Sequence, residues 1–275
     1  DYCFGMKLGG YGTTVVSKVV KALVYADTEE ALYEAESISL EDGGMALVWH
    51  YYNPLNPLDY GLQGKVINAD QSDRSEIVNI VAYTDGLNHV NDFEVCKADD
   101  GGFSVVWLDS PSYDDDTIDD ALSEVYSLNI RSFSKENIAI SEQITISIPE
   151  GSISSDYISA ASLKNGNLVI MYKGNGVSKE DPGIYAIEVD GAGNIMREEM
   201  PLILDYNMMP GKLHYFWKVT ALMDGGYSVI YTCYDFFHAD CGVYKLDVLD
   251  DVAAEPFLIT PPASSTSGIS PFVTS

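Results

Sequence analysis

Carboxylates are the residues of this chain best suited to chemistry. Glu34, Glu36, Asp92, Glu94 and Asp156 stand shortly before three of four similar segments of the sequence, and Lys218 takes the matching place before the fourth. Two carboxyl groups about 5 to 9 Å apart can cleave a glycosidic bond, one protonating the leaving oxygen while the other activates water or attacks the sugar. Glu36, Asp92, Glu94 and Asp156 are the candidates for those two roles, with Tyr157, Phe216 and Trp217 nearby as faces for a sugar. Spacing along the chain does not fix spacing in space. A protein with 42 acidic residues also places carboxylates beside any cleft, and the three aromatics serve core or rim packing equally well. The residue types therefore raise glycoside chemistry without assigning it.

Other chemistries find less support. The acidic run with Asp114, Asp115, Asp116, Asp119 and Asp120 is the one candidate cofactor site, for calcium, which takes six to eight oxygen ligands. It lacks the glycine and terminal glutamate of an EF-hand loop, so a solvated acidic loop is the plainer expectation. His50, His89, His214 and His238 are scattered and form no zinc set. No Gly-x-Ser-x-Gly elbow, phosphate-binding glycine loop or His-Glu-x-x-His helix is present, nor the Ser-x-Asp-x-Gly-x-Thr-Trp box of sialidase-like propellers. Cys233 and Cys241 flank a short loop and are the readiest disulfide; Cys96 falls in a buried strand, and Cys3 has no evident place.

The elements that must position these residues announce themselves by repetition. Asp42-Gly43-Gly44-Met45-Ala46-Leu47-Val48-Trp49 aligns without gaps with the eight-residue segments beginning at Asp100, Asn165 and Asp224, which end on Trp107, Tyr172 and Tyr231. Asp-Gly and Asn-Gly tolerate positive φ in a tight hairpin turn. A strand-like stretch precedes each turn, and a second alternating pair follows each aromatic, most clearly from Gly183 to Leu204 around Asp190-Gly191-Ala192-Gly193-Asn194. Each unit reads strand, turn, strand, variable loop, strand, turn, strand. Such a meander covers its faces by packing on its neighbours, and radial stacking is the propeller solution. The expected fold is all-β, a β-propeller of four-stranded blades. Trp49, Trp107, Tyr172 and Tyr231 then become inter-blade packing.

The whole chain, 1–275, is expected to form one propeller domain: 1–26 as a partial blade, 31–86, 87–152, 153–208 and 209–260 as four blades, and 261–275 as a linker followed by a closing or donated strand. The two ends together would supply a partial fifth blade. The Ser/Thr/Pro-rich tail ends in an apolar stretch containing Ile269, Phe272 and Val273, the candidates for assembly with another copy. Asp27–Tyr33 and Thr117–Leu122 carry capping residues and acidic first turns and read as short helical insertions. The net charge of −27 repels phosphate backbones and anionic lipids, which argues against nucleic acid as a partner. No apolar run is long enough for membrane insertion as a helix. Asp1 is not an initiator, and the chain reads as a processed or excised piece.

Leu222-Met223-Asp224-Gly225-Gly226-Tyr227, Phe103-Ser104-Val105-Val106-Trp107 and Ile184-Tyr185 with Asp190-Gly191-Ala192-Gly193-Asn194 resemble degenerate tandem repeats of large secreted and adhesin-like microbial proteins. The third unit departs from that pattern, with Asn165, Asn167 and Tyr172. The resemblance implies a propeller and an extracellular or cell-surface setting, and carries over no catalytic residue. The resulting expectation is a non-enzymatic extracellular protein: a surface scaffold, adhesin or self-assembling filament subunit, with itself, glycans or surface proteins as partners. The alternative is a carbohydrate-active five-bladed propeller, hydrolase or lectin, using the channel-mouth carboxylates.

Overall fold

The computed structural model describes residues 4–7, 18–21, 31–52, 59–70, 72–84, 88–98, 100–111, 126–146, 153–174, 183–204, 212–235, 241–249 and 252–263, together with Asn56 and Ile148. Among them every regular element is a strand. β1 (Phe4–Lys7) pairs with β2 (Lys18–Lys21) in a two-stranded sheet. Four meanders follow: β3 (Ala31–Ser39), β4 (Met45–Tyr52), β5 (Tyr60–Ile67), β6 (Val78–Tyr83); β7 (Asn88–Lys97), β8 (Phe103–Pro111), β9 (Ser127–Phe133), β10 (Ile144–Ile146); β11 (Ile153–Ser162), β12 (Leu168–Gly174), β13 (Gly183–Val189), β14 (Ile195–Leu204); and β15 (Lys212–Ala221), β16 (Tyr227–Asp235), β17 (Cys241–Leu249), β18 (Val252–Ala253), β19 (Phe257–Ala263). Each meander is one antiparallel sheet in chain order, with β18 and β19 sharing the fourth place beside β17.

The repeated hairpins have one geometry. Leu40, Ala98, Leu163 and Leu222 donate their N–H groups to the carbonyls of Gly44, Gly102, Asn167 and Gly226, and accept from Gly43, Gly101, Gly166 and Gly225. This is a three-residue loop with a left-handed residue in its last position. Gly43, Gly101, Gly166 and Gly225 fill it at φ between 83 and 98°. The following glycine answers to a different constraint: a Cβ on Gly102 or Gly226 would stand 2.1 Å from the carbonyl oxygen of Phe133 or Val248 on the third strand of the sheet. Asn167 replaces that glycine in the third blade, and its side chain bonds Glu188 Oε1.

Alternation along the second strands divides the core between neighbours. Val48, Leu62 and Ile80 of the first blade pack with Phe93, Val105 and Trp107 of the second. Val106 and Leu108 on the other face join Ile170 and Tyr172 of the third, while Val169 and Met171 meet Val229 and Tyr231 of the fourth. Trp49, Trp107, Tyr172 and Tyr231 are buried at equivalent places. They are packing residues, and no ring of them is open to a sugar. The first strands lie innermost: β7 runs against β3 and β11, and β11 against β15.

Two expectations are corrected. Ala31-Leu32-Tyr33 belongs to β3, with a register shift between Leu32 and Ala35, and not to a helical insertion; pairing with Tyr51 and Tyr52 outweighs the local capping signal. The rest of that stretch, and Thr117–Leu122, lie outside the described residues. Pro261-Pro262-Ala263 closes β19 and is not linker, Ala263 pairing with Cys241. An edge strand tolerates proline because a missing N–H there leaves no ladder bond unmade.

Candidate functional site

Six residues before each hairpin the four inner strands carry Glu36, Glu94, Ser159 and Lys218. This equivalence sets them at one level around the axis. Just ahead of that level every inner strand slips its register, between Leu32 and Ala35, Val90 and Asp92, Ile153 and Ile158, and His214 and Trp217. A bulge re-aims the side chains beside it.

Two of the four residues clasp the next blade. Glu36 Oε2 accepts from the Val95 N–H at 3.1 Å, and Ser159 Oγ accepts from the Val219 N–H at 3.1 Å. The other two meet across the channel. Lys218 Nζ lies 2.5 Å from Glu94 Oε1 and 3.6 Å from Glu36 Oε1, joining the fourth blade to the second and the first. Asp92, two residues ahead of Glu94, accepts the Ile158 N–H of the third blade at 2.8 Å on Oδ2 and its neighbour's N–H, that of Phe93, on Oδ1.

Charge within this cluster is uneven. Burial first, then the Glu36 charge, push the Glu94 carboxyl well above the usual range, and Lys218 only partly offsets them. Burial alone would lower Lys218; the charges of Glu94 and Glu36 and the bond to Glu94 outweigh it, and its pKa is raised. A protonated ammonium thus stands among three carboxyl groups, one of which favours its neutral form. A carboxyl group that favours its neutral form is suited to donate a proton.

Of the sequence candidates, Glu36, Asp92 and Glu94 are brought together. Asp156 lies on β11 within its register shift, and Glu34 on β3; their side chains lie outside the described residues, as does that of Phe216. Tyr157 is exposed and Trp217 half-buried. Asp114, Asp115, Asp116, Asp119 and Asp120, and likewise Ile269, Phe272 and Val273, lie outside the described residues. Among the described residues no group of three or more metal-ligating side chains is set to hold an ion. Cys233 pairs with Gly242 and Cys241 with Tyr234, and the side chains of both cysteines lie outside the description. Cys96 is a buried free thiol. Ser159 was missed, although counting six residues back from Asn165 finds it.

A separate cleft of about 290 Å³ opens between the third and fourth blades at the hairpin end, lined by Lys164, Asn165, Glu188, Arg197 and Tyr227 among others. Its acid is fully engaged: Glu188 accepts from Asn165 and Asn167 and pairs with Arg197 at 3.2 Å. Those bonds hold two turns of the third blade together.

No protein-family model matches the chain, and no curated protein does. Solved structures do. A protein of unknown function from Dyadobacter fermentans is 10% identical with a TM-score of 0.53, the alignment covering 84% of this chain and 69% of that one. The hemagglutinin-neuraminidase of parainfluenza virus 5 is 9% identical at 0.51, covering 87% and 63%. An α-L-arabinanase of Penicillium chrysogenum complexed with arabinobiose is 12% identical at 0.47, covering 82% and 66%. The chain is a β-propeller. At such identities the likeness is one of fold, and the chain spans about two thirds of the length of these proteins. It nonetheless corrects the expectation of a non-enzyme. The fold is shared with a hemagglutinin-neuraminidase, so missing short motifs gave no ground for excluding catalysis.

Proposed function

We propose that this propeller is carbohydrate-active and hydrolyses a glycosidic bond at the channel end of its inner strands. The observation that carries the reading is the convergence of Glu36, Asp92 and Glu94, from two neighbouring blades, with Lys218 from a third. Glu94, kept toward its neutral form by burial and by Glu36, is suited to protonate the leaving oxygen. Asp92, fixed in place by backbone N–H bonds to both its oxygens, is the remaining carboxylate beside Glu94 and is assigned the proton of the attacking water. The two acids are i and i+2 on one strand, hence on one face, and a rise of about 3.3 Å per residue sets their Cα atoms about 6.6 Å apart. Carboxyl groups held at a like separation leave room for a water between sugar and base, the inverting arrangement of about 6.5 to 9.5 Å. The extracellular setting rests on the repeat resemblance.

The test is a panel of plant, fungal and bacterial polysaccharides, with released reducing ends measured and the product anomer read by proton NMR. Wild type releases an inverted product from at least one polymer, and D92N and E94Q each lower the rate by a factor of about 10² or more. No product from any polymer, together with a blank glycan array, defeats the reading.

A further inference from the structure

One blade-to-blade device occurs twice in this channel and is broken twice at the equivalent positions. Glu36 and Ser159 each accept the N–H of the residue that follows the matching position on the next inner strand, Val95 and Val219. Glu94 occupies the same place in the second blade, and the N–H that would correspond is that of Ala160. Glu94 makes no such bond; its Oε1 goes to Lys218. Lys218, the matching residue of the fourth blade, has no acceptor atom to offer a following blade and turns back across the axis instead. Where repeats share a structural task, the members released from it are free to serve the site.

Resting on the reading of the channel as the reactive site, we propose that Lys218 is its positioning residue: the ammonium draws Glu94 out of the inter-blade clasp, holds it against Glu36, and sets which carboxyl carries the proton. Among the described residues, Glu94 is faced by Glu36 from β3, Lys218 from β15, and Asp92 and Cys96 from its own strand; β11 contributes the uncharged Ser159 at this level. Only Lys218 among them opposes protonation of Glu94 by its charge. Glu36 and Asp92 act the other way, and so does burial. A cation within about 4 to 6 Å lowers a carboxyl pKa by roughly one to three units. Removing it therefore lets Glu94 hold its proton to higher pH, while Glu36 loses its cationic neighbour at the same stroke.

The experiment reads the proton itself. The chain is labelled with 13C at the glutamate carboxyl, E94Q identifies the Glu94 signal, and titrations of wild type, K218M, K218R and E36Q are compared in proteins shown folded by circular dichroism. In K218M the Glu94 titration moves up by roughly one to three pH units; K218R restores it; E36Q moves it down. The alkaline limb of any glycan-cleavage profile follows the same shifts. A Lys218 that merely braces the blades gives lower stability in K218M with the Glu94 titration unmoved, and that result overturns the proposal. Should K218M not fold, an E36Q titration identical to wild type overturns it equally. The titration needs no substrate, so a chain that shows these shifts yet cleaves no glycan sinks the proposed function and leaves the role of Lys218 standing.

Discussion

Asn137 offers the sharpest test of how the blades are fastened. Ser134 to Ile138 form the same turn as Asp190 to Asn194, with the Ser134 N–H on the Ile138 carbonyl, but the left-handed place held by Gly193 is taken by Asn137 at φ 64°. Its side-chain amide is buried and reaches the first blade, donating to Gly64 O at 2.9 Å, Ser75 Oγ at 3.2 Å and Glu76 O at 3.3 Å. An amide has two hydrogens, so these contacts amount to about two bonds, each worth about 1 kcal/mol net, with a further 1 kcal/mol or more for leaving a buried carbonyl unpaired. Asn137→Gly keeps the turn and removes the fastening, and should cost about 2–4 kcal/mol. Asn137→Ala adds left-handed strain of about 1–2 kcal/mol, partly offset by a less flexible unfolded chain, and should fall about 1 kcal/mol lower still. Equilibrium urea unfolding followed by the fluorescence of Trp49, Trp107 and Trp217 measures both. A glycine variant within about 0.5 kcal/mol of wild type refutes the fastening, because two buried bonds cannot vanish without effect. An alanine variant as stable as glycine refutes the backbone assignment.

Two other outcomes follow from the same geometry. Gly226→Ala should lose about 3 kcal/mol or more, since its φ is 73° and the new Cβ would sit 2.1 Å from Val248 O, whereas Gly191→Ala, with nothing within 4 Å, should stay near wild type; equal unfolding midpoints would contradict the close approach. His50 packs edge-on to Phe93 with 5.0 Å between ring centroids, and burial pushes its imidazole down to about 4. The folded value lies below the unfolded one of about 6.5, so the unfolded chain takes up the proton first. Stability is whole above about pH 6.5 and declines as pH falls toward 4, by about 2 kcal/mol at pH 4.5. Thermal melts of wild type and His50→Gln across that window should diverge on acidification; parallel curves would remove His50 as the cause.

The sequence made the hairpins legible because their chemistry is local. An Asp or Asn whose side chain accepts the N–H two residues on, followed by a glycine able to turn left-handed, needs nothing from elsewhere, and Asp42, Asp100 and Asn165 all do this. The apolar second strands and their terminal aromatics were legible for the same reason. What escaped was set by partners distant in the chain. Ala31–Tyr33 carry helix-like signals that pairing with β4 overrides, and nothing in Ser134-Lys135-Glu136-Asn137 announces that one amide will cross to Gly64. The channel lies between these cases. Glu36, Asp92 and Glu94 stood out as acids near inner-strand starts, but their convergence depends on a register slip in each strand, which no periodicity of side chains reveals. Asp156 falls inside such a slip, where counting along the sequence no longer tells which way a residue faces.

The four slips fall at a common height, and this divides the molecule into two storeys. Below them the hairpins seat on the third strands of their own sheets through backbone contacts with little tolerance, so the lower storey works as a jig. Above them phase is uncoupled from that jig, and residues can be exchanged, or loops lengthened, without rethreading the core. A grafting experiment on this scaffold therefore has a natural cut line: ligand preference can be rewritten above the slips while the quartet of Glu36, Glu94, Ser159 and Lys218 stays as the sill on which any new rim rests.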